Sequence, residues 1–261
     1  DINSNDYTSS DISRYNPTIL GEGVKVIAVQ RQPDTRVWFV LNDGTVACLI
    51  LEKGEDVISW ITMETDGLFE DVAVLPNTSD DDVYFIVQRT INGVQKRFHE
   101  KLAYDHQAQG GTANYMSDCY IVVTVAASAT VTGLSHLEGE TVVAWAAGSA
   151  QMNGDDPATF VVTGGQITLD AVVTGDVIVG LAYEGRWKSA KLAYGANTGT
   201  AMSLKKKIHK VAPLLYKTHT RAIKYGHSFD KVSHMPRVIG GVDRGQNAVL
   251  DDYDYDDFPI P

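Results

Sequence analysis

The chain has 261 residues, an apolar share of 44% and a formal charge of −11. This composition excludes disorder throughout and disfavours a general nucleic-acid binder, because phosphate contacts need clustered Lys and Arg. The two cysteines, Cys48 and Cys119, form no CxxC pair, and there is no apolar run of 18 residues or segment that reads as a signal peptide. Reduced, buried thiols in a protein assembled inside a cell are the expectation.

Residues 1–23 are rich in Asp, Ser, Asn and Gly and read as an extended arm, with one helical turn near Asp11 to Tyr15. Val24 to Gln30 is a strand expected to lack a partner within the chain, and Arg31-Gln32-Pro33-Asp34 connects it to three hairpins between Arg36 and Ala103. The first hairpin has apolar arms, Val37 to Leu41 and Val46 to Leu51, around Asn42-Asp43-Gly44. Arms without alternation predict burial on both faces, inside a stack of sheets. The second is expected to turn at Asp66-Gly67, with Trp60 opposite Ala73 and Ile61 opposite Val72. The third turns at Asn92-Gly93 and sets Ile91 against Val94, Val87 against Phe98 and Val83 against Leu102, all on one face.

From Tyr104 to Ala113 the composition turns to Gln, Gly and Asp, which marks a linker. Beyond it the texture changes to small residues, Thr and Val, with strands expected at Tyr120–Val125, Ala129–Val131, Thr141–Ala146, Thr159–Thr163, Gln166–Leu169 and Val177–Gly180. That spacing suggests a small sandwich or barrel. Lys101-Leu102-Ala103-Tyr104 recurs as Lys191-Leu192-Ala193-Tyr194, an echo that either an inserted domain or chance similarity would explain. The expected division is 1–113, 114–196 and 197–261, and the class is all-β: antiparallel hairpins with a small β-domain inserted.

A further hairpin is expected from Lys205–Tyr216 and Arg221–Tyr225 around Lys217-Thr218-His219-Thr220, with a mostly irregular remainder from Ser228. Charge is unevenly placed here. Residues 200–245 hold ten of the 22 Lys and Arg, while Asp251 to Asp257 has five Asp in seven positions. Lys205, Lys206, Lys207, Lys210, Arg221 and Lys224 are therefore the candidate contacts to a neighbouring subunit, another assembly component or the acidic tail, with a solvated surface as the plain alternative.

Nothing reads as a catalytic or metal site. Gly226-His227-Ser228-Phe229-Asp230 lacks the second glycine and the following helix of a nucleophile elbow. His209, His219, His227 and His234 lack ligand spacing, and Asp252, Asp254 and Asp256 lack the glycine and final Glu of a calcium loop. Gly240-Gly241-Val242-Asp243-Arg244-Gly245 has no strand before it or helix after it to make a phosphate loop. Trp38, Trp60 and Trp145 read as core. Trp187, between Arg186 and Lys188, has a more exposed setting but is also expected to pack against the core or between domains. No enzyme activity and no cofactor are expected.

Taken together, Gln30-Arg31-Gln32-Pro33-Asp34-Thr35-Arg36-Val37-Trp38, Asp43-Gly44-Thr45, Trp60, Glu64-Thr65-Asp66-Gly67, Arg89-Thr90-Ile91-Asn92-Gly93 and Glu100-Lys101-Leu102 form an ordered succession over residues 24–104. This succession resembles the tail nozzle, or tail tubular B, proteins of short-tailed bacteriophages. Leu134-Ser135-His136-Leu137-Glu138-Gly139, Gly164-Gly165-Gln166-Ile167-Thr168-Leu169 and Val179-Gly180-Leu181-Ala182-Tyr183 look like the β-domain inserted in such proteins, labelled by likeness to the FCCH domain of ubiquitin-activating enzymes. Lys207-Ile208-His209, Leu214-Leu215-Tyr216 and Tyr225-Gly226 are similar to the strand pair that follows the insert.

The resemblance implies the C-terminal part of a β-propeller-like body and a structural virion protein, made in the host cytoplasm. It would be a subunit of a homo-oligomeric, hexameric ring that conducts genomic DNA without cutting it. Its implied partners are other tail proteins, such as the adaptor and fibres, and the host cell surface. The alternatives are a host-glycan-binding tail module, which needs a cluster of exposed aromatics, and a virion-associated hydrolase, which needs a convergent nucleophile and base.

Overall fold

The computed structural model describes residues 11–52, 54–153 and 156–189, then 208, 210–211, 218–219, 222–236, 238–239, 242–243, 249–250 and 258–259. The described chain is all-β, its strands pair antiparallel, and no sheet closes into a barrel. Its helical content is three short 3₁₀ turns, Ile12–Tyr15, Asp105–Ala108 and Ser135–Leu137. Asp11 caps the first by accepting from the Ser13 amide at 2.9 Å.

Strands β1 (Val24–Gln30), β2 (Thr35–Leu41), β3 (Val46–Glu52) and β4 (Val57–Met63) form one sheet in chain order. The expected first hairpin is present, with Val40 opposite Val46 and Phe39 opposite Ala47. Strand β1 does have a partner, which corrects the expectation: Ile27 lies opposite Phe39 and Val29 opposite Val37 on β2. Its outer edge pairs with no described strand.

Strands β5 (Leu68–Leu75), β6 (Asp82–Ile91) and β7 (Val94–Lys101) form a second sheet. The β6–β7 hairpin has the expected register, Ile91 opposite Val94 and Val87 opposite Phe98. Asn92 and Gly93 both adopt positive φ, 49° and 73°, as a two-residue turn matching the strand twist requires.

The segment at Asp66-Gly67, by contrast, is a crossover between sheets and not a hairpin turn. Trp60 and Ile61 pair with Leu49 and Cys48 of β3, while Val72 and Ala73 pair with Phe85 and Tyr84 of β6. The reason is coverage of an apolar face. With β4 joined to β3, β5 can start a second layer and bring Phe69 and Val72 onto Trp38, Val40, Val46 and Cys48. The Phe69 amide donates to the Gly44 carbonyl at 2.9 Å, which ties the start of that layer to the β2–β3 turn.

The core between the sheets is aromatic. Phe85 meets Trp38 and Phe69 edge-on, with ring centroids 5.7 and 5.1 Å apart. A polar side chain beside it is satisfied: buried Gln30 accepts from the Trp38 indole at 3.1 Å and donates to the Gln32 carbonyl at 2.8 Å. On the opposite face of the first sheet, Ile19 and Leu20 pack against Leu41, Ala47, Phe39 and Trp60. Both faces of the first hairpin are thus covered, one by a sheet and the other by the N-terminal arm.

The second unit is a single bent sheet. It contains β8 (Asp118–Thr132), β9 (Thr141–Ala146), β10 (Ser149–Ala150), β13 (Thr159–Val161) and β14 (Gln166–Leu181), while β11 (Met152–Asn153) and β12 (Asp156–Pro157) make a small separate pair. Two pairs of expected strands prove to be two long ones. Tyr120–Val125 and Ala129–Val131 both lie on β8, and Gln166–Leu169 and Val177–Gly180 both lie on β14. Register shifts between Thr168 and Gly175, with Gly175 at φ 108° and Ala127 at φ 48°, bend the strands without ending them. The sheet then encloses Val131, Leu134, Leu137, Val142, Val162, Val177 and Val179 within its own curve.

In the C-terminal part, Lys224–Ser228 and Lys231–His234 form a hairpin. Lys210–Val211 pairs with Phe258–Pro259, and Thr218–His219 with Val249–Leu250. The expected hairpin joining Lys205–Tyr216 to Arg221–Tyr225 is therefore corrected: its described parts pair with later segments. Among the described residues after Ser228, short segments at Lys231–His234, Val238–Ile239, Val242–Asp243, Val249–Leu250 and Phe258–Pro259 find antiparallel partners.

Candidate functional site

Of the predicted contacts, Lys205, Lys206, Lys207 and Arg221 lie outside the described residues, as does the acidic stretch 251–257. Lys210 stands opposite Pro259, and Lys224, exposed at the start of its hairpin, stands opposite His234. The described pairings place these two on separate strand pairs.

The densest polar arrangement is elsewhere, and its central residue was missed as a site residue in the sequence reading. Strand β6 buries every second residue: Val83, Phe85, Val87, Arg89 and Ile91. The first three face the inter-sheet core, and Ile91 belongs to the core of the second unit. Arg89 sits between them at 1% exposure. All five guanidinium hydrogens have an acceptor. Nε and Nη2 donate to Glu100 at 2.8 Å each, Nη2 and Nη1 to Asp118 at 2.9 and 3.2 Å, and Nη1 to the Asp66 carbonyl at 2.8 Å. These bonds and the two carboxylates raise the Arg89 pKa against the opposing effect of burial, so it is always charged.

Asp118 opens β8, so this group joins the two units. The Thr65 hydroxyl donates to Asp118 at 2.5 Å, and the Asp118 carboxylate also accepts from the Cys119 amide at 2.9 Å. Two glycines make the room. A Cβ on Gly67 would lie 2.5 Å from the Gln88 carbonyl oxygen and 2.9 Å from the Arg89 side chain. One on Gly180 would lie 2.6 Å from the Asp118 carbonyl oxygen. Nearby, Phe98 packs against the second core, and the Asn92 amide donates to Glu140 at 3.4 Å.

A second fastening lies in the Gln30 to Arg36 stretch. The Asp81 carboxylate accepts from the Arg31 and Gln32 amides at 2.7 and 3.1 Å. These bonds hold its pKa below the ordinary carboxylate value. Arg36 bridges Asp34 and Asp105, each at 2.7 Å.

The chemistry of these groups is structural. Burial pushes the Cys48 thiol up to about 12, and burial and Glu100 push the Cys119 thiol upward. Both are free and protonated at neutral pH, the reverse of an activated nucleophile. Burial lowers the His136 pKa below the ordinary imidazole value. Among the described residues no three His, Cys, Asp or Glu side chains are grouped to hold a metal ion.

The tryptophans divide differently from expectation. Trp38 is buried, but Trp60 and Trp145 are only half-buried, with their indole N–H groups on the Ile12 and Gly111 carbonyls. Trp187, expected to pack, is instead 83% exposed. Beside it, Arg186 pairs with Glu184 at 3.0 Å and lies over the Phe229 ring, 5.9 Å from its centroid.

No protein-family model matches the chain, and no curated protein matches it at a significant level.

Proposed function

We propose that the chain is a structural component of a short phage tail, the C-terminal part of a nozzle subunit that helps form a DNA conduit. The observation that carries this reading is the ordered succession of nozzle-like residues from Gln30 to Leu102. Those residues are architectural: Arg31 and Gln32 are fastened by Asp81, Asp66-Gly67 makes the crossover, and Arg89, held by Glu100 within its hairpin, reaches Asp118 across the inter-unit junction. The outer edge of β1, which pairs with no described strand and has Ile27 56% and Val29 49% exposed, supports assembly with further β-structure. In this reading 1–113 belongs to a β-propeller-like body, 114–196 is an inserted β-domain, and 197–261 returns to the body. The subunits form a ring, and Lys205, Lys206, Lys207, Lys210, Arg221 and Lys224 contact neighbours and not DNA.

Electron microscopy of purified tails carrying an epitope on this chain tests the reading. Label in a ring at the tail axis is expected, and absence from the tails refutes it. A conduit should let phosphates pass, so duplex DNA should bind no tighter than about 10⁻⁵ M at physiological salt. Replacing Lys205, Lys206 and Lys207 with Glu should reduce assembly. Tails that assemble normally but fail to deliver DNA would place these lysines in the channel.

A second reading, a host-glycan-binding module, is favoured by two exposed aromatics, Trp187 and Phe229, with Arg186, the chain neighbour of Trp187, over the Phe229 ring. Trp187→Ala should then abolish binding on a glycan array, and an array without signal for the unaltered chain removes this alternative.

A further inference from the structure

We infer that Arg89 and Asp118 form an orientation lock that makes the β5–β7 sheet and the bent sheet of β8–β14 move as one body. Three contacts converge at the junction. Arg89 and Thr65 of the first unit both donate to the Asp118 carboxylate, Ile91 and Phe98 of the β6–β7 hairpin pack in the second core, and the Asn92 amide meets Glu140. The apolar contact alone would let the second unit rotate about the hairpin tip, because dispersion and burial have little directional preference. The planar guanidinium removes that freedom. It grips Glu100 bidentately within its own hairpin and Asp118 across the junction, and any rotation lengthens the second pair of bonds. Three residues after Ile91, β7 begins and the chain returns toward Glu100, so the hairpin and its arginine form a single strut.

The division of labour between the carboxylates supplies the test. Glu100 fixes Arg89 within the hairpin, and Asp118 fixes the second unit to Arg89. Nitroxide labels on p-acetylphenylalanine at exposed positions 62 and 168, one in each unit, leave both native cysteines in place. The unaltered full chain should give one narrow inter-label distance by pulsed electron spin resonance. Asp118→Asn keeps the side-chain shape but loses the charge, and should replace that peak with a broad distribution. Thr65→Val should broaden it less. Glu100→Gln should lower the thermal midpoint and keep the narrow peak. A narrow peak in Asp118→Asn, a broad one in the unaltered chain, or equal broadening in Glu100→Gln would each overturn the lock. A folded far-UV circular dichroism spectrum in each variant assigns the broadening to orientation and not to unfolding, and Asp118→Asn broadening only through unfolding also overturns it.

Discussion

The two β-units solve the same problem, enclosing an apolar core with antiparallel strands, in opposite ways. Strands β1–β7 are short, 7 to 10 residues, and make two sheets that cover each other. Their core needs wide side chains to span the gap between layers, and Trp38, Phe69 and Phe85 supply them. The second unit uses two strands of 15 and 16 residues, bent by bulges until one sheet covers itself. Its tight interior is filled by Val, Leu, Ile and Ala. A core between sheets therefore depends on a few aromatics, whereas a core within one sheet depends on where the backbone bends.

Substitutions should separate these dependences. Phe85→Ala removes the ring that both Trp38 and Phe69 touch edge-on and should cost about 4 kcal/mol in chemical denaturation. Leu137→Ala in the second unit should cost about 2–3 kcal/mol, because a curved sheet of small residues can collapse partway into the space. Equal losses would mean that the two cores are packed alike.

Arg89→Met tests the boundary between them. It extends the apolar row of β6 but leaves Glu100 and Asp118 facing each other without the cation. Those carboxylates keep 20% and 25% side-chain exposure, so the loss should be about 3 kcal/mol, at the low end for a broken buried pair. A variant as stable as the parent would show that the cation is dispensable.

Close backbone approach and positive φ can be separated within the second unit. Gly180→Ala drives a methyl group against the Asp118 carbonyl and should cost about 2 kcal/mol. Gly175→Ala meets no atom within 4 Å, and so reports the φ of 108° alone, about 1 kcal/mol. Denaturation midpoints of the two variants check the order.

The smallest effect concerns acid. Hydrogen bonds from Arg31 and Gln32 lower the Asp81 pKa, so its stabilisation is present above its unfolded value, 3.8, and is lost as pH falls through the folded value. Asp81→Asn should lower the thermal midpoint at neutral pH and flatten its decline below about pH 4. A parallel decline in both proteins would show that the loop at Arg31 to Asp34 does not depend on this carboxylate.

The sequence by itself determined what is local. The dipeptide Asn92-Gly93 set both turn and register, since two residues with positive φ leave one way for the arms to meet. The alternation that put Val83, Val87 and Ile91 on one face also put Phe85 and Arg89 there, so a charged residue in a buried row was legible as a signal before its partners were known. The partners were not, because Asp118 lies 29 positions further on and nothing near it in the chain records the meeting. Pairing of β4 with β3 and of β5 with β6 was decided only in three dimensions. Asp66-Gly67 has turn chemistry suited to either a hairpin or a crossover, and what separates them is whether the apolar face of the first sheet is covered. The bulged strands follow the same rule: Gly175 permits a turn or a bend equally, and the bend prevails because it keeps β14 paired with β8 on both sides of the kink while closing the sheet over its core.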